Sequence, residues 1–489
     1  VEQCDIEVVQ DFKKCAVSMV TRGVSQIHVV VPLEGLIDFN QEIARLDKNI
    51  EKLKKESDGI KGRLANENFW TKEFTDQAIL EYKKFMYLAA TSDFMVSPSE
   101  IIDNVWHQHL IFTQSYQAFC NTLGKQIQHI PSTHNKEDFE KFKQAKERTI
   151  KLYEKDFGVQ PKSIWGFDGM FESLNLEKAK FKLRTFIIFG ILAFIGLTIP
   201  TYFVLKLIYI QIDNPYFIYA LIVLSLFTFM ALELYNRAKL ENIVAGFDQS
   251  SFVYQLQPFE LVYLKTQKLS NVINGAVNEL IDNGTIKVDS NNTIELLKNN
   301  ATNNHTQLQI TSVLSELGKT IYPNLLKKLE GKPIFGNTAN SMDAFCKYFN
   351  KSKKFSYLFY TNFTVLTLLL LLSFTRIVTG VLRDKPVVQI VIATIVLAVI
   401  TIVFLQRLTK QISTTIIPNL YKKQILPNLK IEDNWQWKYF LLGTAVLTTA
   451  FVPLVNYIDK NKDSSSGCGS SCGSSCGSSC SSCGGCGGD

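Results

Sequence analysis

The sequence PVVQIVIATIVLAVITIVFL, from Pro386 to Leu405, contains no Asp, Glu, Lys or Arg. A helix of about 20 apolar residues matches the thickness of the hydrocarbon core of a bilayer. We therefore predict a membrane-spanning helix here, which indicates an integral membrane protein.

Four other windows have a similar character. Phe186–Val204 and Tyr216–Leu232 are clear candidates, whereas Tyr360–Phe374 with its flanks and Tyr439–Val455 qualify despite polar interruptions. We predict five spans, with four as the alternative. The spans carry no acidic residue apart from Glu233 near one end, which argues against a coupled transporter, since coupled transport usually needs ionisable groups inside the membrane.

Lysine and arginine residues close to the span ends indicate the orientation, because cytoplasmic loops are enriched in these residues. We expect the N-terminus and residues 240–350 to be cytoplasmic, in an inner or plasma membrane, and the C-terminus to lie outside if there are five spans. Four spans would reverse the position of the C-terminus. The net charge of +7 therefore supports a topology rather than nucleic-acid binding. The flanking cations are Lys178, Lys180, Lys182, Arg184, Arg237, Lys239, Lys351, Lys353, Lys354, Arg407, Lys410, Lys422 and Lys423.

The last 26 residues, Ser464 to Asp489, contain only Ser, Gly, six Cys and one Asp. Such a segment has too little apolar surface to fold by itself, and we predict disorder. Its chemistry must come from sulfur: disulfides, zinc or copper binding, or modification by a partner enzyme. The alternative is a low-complexity end without selected chemistry. The candidate ligands are Cys468, Cys472, Cys476, Cys480, Cys483 and Cys486.

Near the N-terminus, apolar residues alternate in steps of three and four from Ile43 to Leu64, which predicts a coiled-coil helix. The surrounding sequence from Val29 to Phe69, which ends in LANENF, resembles the carboxy-terminal arm of bacterial valyl-tRNA synthetase. The resemblance implies a coiled coil that contacts tRNA. However, the second helix of the arm and the catalytic signatures of the synthetase are missing. We interpret Val1–Phe69 as a fusion or a sequence-assembly join and do not expect aminoacylation.

The next segment contains SPSEIIDNVWHQHLIFTQSYQAFC, Ser97 to Cys120. Ser97 and Pro98 predict the start of a helix. Along that helix Asp103 and His107 share a face, whereas His109 points elsewhere. Imidazoles together with a carboxylate or a thiolate suit zinc or another borderline metal. The alternatives are histidines that hydrogen-bond within a helical core, or a nucleophilic cysteine. The candidate ligands are Asp103, His107, His109, Cys120 and His129.

This segment also resembles the glycine-rich domain-containing protein-like family, whose mark is a D-x-x-W-H-x-H-L run followed by Tyr, Phe-Cys and a later His. The resemblance covers about 90 residues and implies a helical module without an established reaction. The matching residues are Asp103, Trp106, His107, His109, Leu110, Tyr116, Phe119, Cys120 and His129.

Between the second and third predicted spans, apolar residues from Leu269 to Ile281 predict a helix that ends at Asn283-Gly284. The sequences TIKV and TIEL then predict a hairpin, and together these elements outline a winged helix. The predicted recognition helix carries asparagines and acids rather than cations, so a protein partner is favoured over DNA.

The sequence from about Leu183 to the end resembles an uncharacterised bacterial membrane-protein family. Its members place a winged-helix-like segment of the form L-x-P-x-E-L-A-Y-L between spans and often end in a Gly- or Cys-rich tail. The matching residues here are Leu256, Pro258, Glu260, Leu261, Tyr263 and Leu264, with Val262 in place of Ala.

The predicted fold class is a mainly α membrane protein with a winged-helix-like α+β insert. The leading functional hypothesis is a non-enzymatic membrane protein that presents a Cys-rich tail. The alternatives are a metal-dependent enzyme or sensor, and an arm that contacts tRNA. The predicted units are 1–69 (synthetase-like arm), 70–165 (helical module), 184–235 (transmembrane hairpin), 240–350 (insert), 356–406 (transmembrane hairpin), 438–457 (fifth span) and 464–489 (disordered tail).

Overall fold

The structure, a computed structural model, describes residues 59–130, 136–289, 293–297, 304–428 and 434–465. It is mainly helical and contains one small sheet of three strands. The Cys-rich tail from Ser466 onward, most of the synthetase-like arm and Pro131 lie outside the described residues, and the predictions about them stay predictions.

The first described part is a helical bundle around an aromatic core that includes Phe74, Tyr82, Phe85 and Trp106. Its second helix begins after Thr71, whose side chain accepts a hydrogen bond from the Phe74 N–H. These aromatic side chains are large enough to stabilise a small bundle by burial. The helices are α1 (59–68), α2 (Lys72–Thr91), α3 (Glu100–Ile111), α4 (Thr113–Leu123), α5 (Lys136–Phe157) and α6 (Lys162–Trp165).

Helix α3 begins two residues later than the sequence predicts. Its N-cap is Ser99, whose side chain accepts a hydrogen bond from the Ile102 N–H and donates one to the Ile164 carbonyl. Ser97 instead uses its N–H to bind the Thr149 hydroxyl at 2.8 Å. This hydrogen bond to α5 holds Ser97 in the extended segment before α3.

Two long apolar helices follow, α7 (Leu183–Gln211) and α8 (Asn214–Ala245). No residue in the most apolar part of α7 is fully buried within the protein, as expected for a helix with one side toward lipid. Both helices are long and apolar enough to cross a membrane.

The insert after α8 carries the sheet, in the order β1-β2-β3 with antiparallel pairing. Ile286 pairs with Leu296, and Ile294 pairs with Thr320. The predicted helix and hairpin are both present. The elements are α9 (Pro258–Thr266), α10 (Leu269–Asp282), β1 (Ile286–Val288), β2 (Thr293–Leu296), α11 (His305–Leu317), β3 (Thr320–Ile321), α12 (Tyr322–Glu330) and α13 (Pro333–Asn350).

A second pair of apolar helices comprises α14 (Lys353–Val381) and α15 (Val388–Gln411). Helix α15 continues through two π turns and the short helix α16 (Ile417–Leu420) as one continuous helical unit that ends at Asn428. Helix α14 lies at the centre of the bundle and packs against α7, α8 and α15. The described residues therefore contain four helices able to span a membrane.

The prediction of a fifth span over 438–457 is wrong for the described residues. This window is divided between α17 (Trp435–Leu442) and α18 (Val452–Ser465) by a left-handed turn at Gly443, with φ +65°. A helix of eight residues extends only about 12 Å, far short of the bilayer core.

The same window packs on the insert, which gives the physical reason. The Tyr439 hydroxyl donates to the Asn271 carbonyl at 2.8 Å, and the Thr448 N–H donates to Asn278 Oδ1 at 2.8 Å. Phe440 and Phe451 are buried in the same core as the insert. Tyr439 and Thr448 thus bond to protein groups, and Phe440 and Phe451 enter a protein core rather than a bilayer.

These contacts also cover α10, the predicted recognition helix. Asn274 and Asn278 are buried, and the Glu279 carboxylate accepts hydrogen bonds from Gln436 Nε2 at 3.1 and 3.2 Å. This face of α10 is thus covered by the C-terminal segment of the chain, so it cannot enter a DNA groove.

Candidate metal centre

Three of the five ligands predicted in the helical module come together. His129 Nε2 lies 2.9 Å from Asp103 Oδ1, and His107 Nε2 lies 3.3 Å from Asp103 Oδ2. One ligand atom from each of the three residues lies within 4.8 Å of the others. Two imidazoles and a carboxylate at this separation can coordinate one divalent ion.

Two features of the fold position these groups, namely the spacing of residues along α3 and the turn that follows α4. Asp103 and His107 lie one turn apart on α3, as their spacing predicts. His129 comes from the segment after α4, which ends at Gly124 with a left-handed φ of +71°. That turn directs the chain back along α3, and the His129 ring packs against the Trp106 ring with centroids 4.6 Å apart.

Hydrogen bonds fix the segment that carries His129. The Trp106 indole N–H donates to the Tyr116 hydroxyl at 3.1 Å, and that hydroxyl donates to the Ile127 carbonyl. Lys125 Nζ donates to the Ala89 and Ser92 carbonyls. The position of His129 therefore depends on α2, α3 and α4 together.

The three groups differ in exposure. The His107 side chain is 58% exposed, Asp103 is 32% exposed and His129 is 14% exposed. A cavity of about 250 Å³ lies beside them, lined among others by Phe85, Met95, Lys125 and Phe142 as well as by Asp103, Trp106 and His129. Three protein ligands next to a cavity leave a coordination position for water or a substrate, which is typical of catalytic zinc sites.

His109 does not join this group, because it lies on another face of α3. Its Nδ1 is 2.9 Å from the Tyr82 hydroxyl, and its Nε2 is 3.3 Å from the Ser115 hydroxyl. Burial is the main reason that its pKa falls to about 4, so the imidazole is neutral at physiological pH. His109 is therefore a hydrogen-bonded core histidine.

Cys120 is also separate from the three converging residues. Its side chain is fully buried in the module core, close to Tyr82 and Tyr116. A reactive cysteine needs access and a stabilised thiolate. The surroundings of Cys120 supply two neutral phenols, one of which, Tyr116, has its pKa raised to about 12 by burial. They favour a structural role.

Sequence reasoning missed a buried carboxylate, Glu81. It accepts hydrogen bonds from Lys84 Nζ at 2.8 Å, the Tyr153 hydroxyl at 2.7 Å and the Trp165 indole N–H at 2.8 Å. These partners connect α2 to α5 and α6. Glu81 and Lys84 are three residues apart, a spacing typical of ion pairs on exposed helices. The other two donors, Tyr153 and Trp165, are distant in sequence, so only the fold identifies them.

Two family models match parts of the chain. A family described as UCP032817-like matches residues 57–164, and the valyl-tRNA synthetase tRNA-binding arm matches residues 38–73. The first match contains all three converging residues but specifies no reaction. The second confirms the predicted similarity to the synthetase arm. The resemblances to the glycine-rich domain-containing protein-like family and to the membrane-protein family stay predictions.

Curated relatives agree with the second match. The chain is 41% identical to the valine–tRNA ligase of Bdellovibrio bacteriovorus over 68 residues, which are 14% of this chain and 8% of the ligase. It is 48% identical to that of Staphylococcus saprophyticus over 60 residues, 12% of this chain and 6% of the ligase. The matches thus span less than a tenth of either ligase. No solved structure matches the chain.

The end of the synthetase-like arm is part of the module in this structure. Leu64, predicted to face a coiled-coil partner, is fully buried in the large core that it shares with Phe74 and Trp106. The Gly62 carbonyl also accepts a hydrogen bond from Asn337 Nδ2 at 3.2 Å. Residues 59–68 therefore belong to the packed molecule rather than to a free arm.

Proposed function

We propose that this chain is a membrane-anchored protein whose N-terminal module binds a divalent transition metal through Asp103, His107 and His129. The observation that carries the proposal is the approach of their ligand atoms to within 4.8 Å of one another. The four candidate spans provide the anchor.

The donor set favours zinc, with copper as the second choice, because imidazole nitrogens suit both ions. Each Asp103 oxygen contacts a different imidazole, so one carboxylate orients both rings toward a common point. An ion would replace these two contacts. The neighbouring cavity favours a metal-dependent enzyme over a purely structural site, since structural zinc sites usually have four protein ligands.

The test is metal stoichiometry in the full chain, purified in detergent, stripped with chelator and titrated with Zn²⁺. We expect His107→Ala/His129→Ala to bind one equivalent less than the parent chain. His305→Ala is the matched control, since it removes an imidazole from α11, and it should leave the stoichiometry unchanged. Variants are compared only where their thermal unfolding resembles that of the parent.

The six tail cysteines are a second possible zinc site, so the titration is repeated with all six replaced by Ser. Loss of one equivalent on His107→Ala/His129→Ala in this background supports the proposal. An unchanged stoichiometry in both backgrounds would overturn it. His109→Gln should retain the metal, because His109 lies outside the converging group.

The Cys-rich tail remains a candidate for soft-metal binding or for modification by a partner enzyme. Its six cysteines occur at regular short intervals in a Gly/Ser context, which lets neighbouring sulfurs converge on one ion. Mass spectrometry of the C-terminal peptide from native membranes separates the two possibilities. A mass shift of this peptide would indicate modification. Six free thiols would leave metal binding as the remaining hypothesis for the tail.

Contact with tRNA, by contrast, has weak support. The synthetase similarity covers only 38–73, and the described end of that segment packs into the module. A protein partner of the insert would bind surfaces other than the face of α10 that α17 covers.

A further inference from the structure

We propose that a surface at the start of α7 and α14 binds the headgroups of anionic phospholipids. The surface, called here the basic rim, consists of residues 177–184 and 351–354. It is separate from the proposed metal centre and does not depend on it.

Backbone hydrogen bonds bring the two segments together. The Ala179 N–H donates to the Lys351 carbonyl at 3.0 Å, and the Lys353 N–H donates to the Glu177 carbonyl at 2.7 Å. Lys178 and Ser352 form an isolated antiparallel bridge between them. Two basic runs that are distant in sequence thus become one surface.

The basic rim contains seven cations and one carboxylate, Glu177. Glu177 Oε2 lies 2.8 Å from Lys353 Nζ, and this hydrogen bond holds the pKa of Glu177 below its usual range. In the described part of the chain, the other six cations have no carboxylate partner. All seven side chains are exposed: Lys178, Lys180, Lys182, Arg184, Lys351, Lys353 and Lys354.

The position of the basic rim identifies the partner. It borders the first turns of two candidate spans, Leu183–Gln211 and Lys353–Val381. Two aromatic side chains here are exposed, Phe181 and Tyr357, and the Tyr360 hydroxyl donates to the Phe181 carbonyl at 2.8 Å. Aromatic residues at span ends lie at the level of the headgroups, so the cations are at the depth of lipid phosphates.

Phosphate is the chemistry that such a cluster recognises, and the membrane is its nearest source. Clusters of Lys and Arg next to a transmembrane helix attract anionic lipids. We therefore assign the basic rim to lipid headgroups rather than to soluble phosphate.

The test uses the full chain reconstituted in phosphatidylcholine bilayers with spin-labelled phosphatidylglycerol or phosphatidylcholine as the probe. We expect selectivity for phosphatidylglycerol to fall at least about tenfold in Lys178→Gln/Lys180→Gln/Lys182→Gln, since each cation near the surface adds to the attraction. The matched control, Lys143→Gln/Lys146→Gln/Lys151→Gln, makes the same charge change on α5 and should retain the selectivity.

A second variant acts in the opposite direction. Glu177→Gln removes the single carboxylate from the basic rim. Because the Glu177 side chain is exposed, we expect this substitution to leave the fold unchanged. We expect higher selectivity for phosphatidylglycerol. Absence of selectivity in the parent chain, or an equal loss in the α5 control, would overturn the proposal. Loss of the selectivity of the parent chain for phosphatidylglycerol on addition of inorganic phosphate, at matched ionic strength, would also overturn it, because it would indicate a soluble ligand.

Discussion

At the residue scale, Glu260 is a buried carboxylate between the module and the insert. One of its oxygens accepts a hydrogen bond from the Gln257 N–H at 2.8 Å, within the capping box of α9, and the other lies 3.4 Å from the Lys72 N–H of α2. Burial raises its pKa to about 7, and the nearby Glu73 carboxylate acts in the same direction. The two N–H groups and the Lys72 ammonium oppose the rise.

This raised pKa predicts a pH-dependent stability. Because the folded chain binds the Glu260 proton more tightly than the unfolded chain, whose reference pKa is 4.5, the stabilisation is present below about pH 4.5 and is lost as the pH rises to about 7. The contribution is of the order of 3 kcal/mol. The melting temperature of the parent chain should therefore fall as the pH rises from about 4.5 to about 7, and we expect this fall to be smaller in Glu260→Gln.

The control for Glu260 is Glu147→Gln on α5, an exposed position. It should leave the pH profile unchanged. Profiles of the parent and Glu260→Gln that run parallel between about pH 4.5 and pH 7 would contradict the assignment.

At the element scale, a reciprocal amide pair joins α8 to α14. Asn236 Nδ2 donates to Asn362 Oδ1 at 2.9 Å, and Asn362 Nδ2 donates to Asn236 Oδ1 at 2.6 Å. Both side chains are fully buried within candidate spans. Apolar packing alone selects helix register weakly in a membrane, so the pair specifies how these two helices meet.

Breaking this pair should destabilise the bundle. We expect Asn362→Leu to lower the free energy of unfolding by about 1–2 kcal/mol, because Asn236 then loses its buried partner. Asn236→Leu/Asn362→Leu should be less destabilised than the sum of the single changes. Denaturant unfolding in detergent measures all three, and strict additivity would show that the two amides are not coupled.

At the scale of the whole molecule, one apolar core includes the module, the insert and the C-terminal helices α17 and α18. We therefore predict that these parts lie on one side of the membrane. Four spans lead to the same arrangement, because an even number returns the chain to its starting side. The sequence had predicted a tail on the opposite side, on the basis of the fifth span.

Labelling of single cysteines tests this topology. In a chain whose other cysteines are replaced, Lys287→Cys in the insert and the native Cys486 should react with a membrane-impermeant maleimide from the same side. Lys385→Cys, between α14 and α15, should react from the opposite side. If Cys486 reacted from the same side as Lys385→Cys, the chain would have to cross the membrane a fifth time.

Local patterns were enough to predict several elements. A long run such as Pro386–Leu405 allows few structures besides a buried or lipid-facing helix, and the spacing of Asp103 and His107 places them one turn apart on any helix. The similarity of Val29–Phe69 to the synthetase arm was likewise readable from the residues, and the family model matches 38–73. None of these inferences requires knowledge of a distant contact.

Long-range packing determined the remainder. Whether His109 or His129 joins Asp103 depends on the turn after α4 and on hydrogen bonds among three helices. Tyr439–Val455 has nearly the composition of a span, yet it folds onto the insert because Asn271 and Asn278 accept hydrogen bonds from its polar groups. The two basic runs of the basic rim become adjacent only through backbone pairing. Periodicity reports the environment of one segment, whereas these features depend on which distant segment supplies that environment.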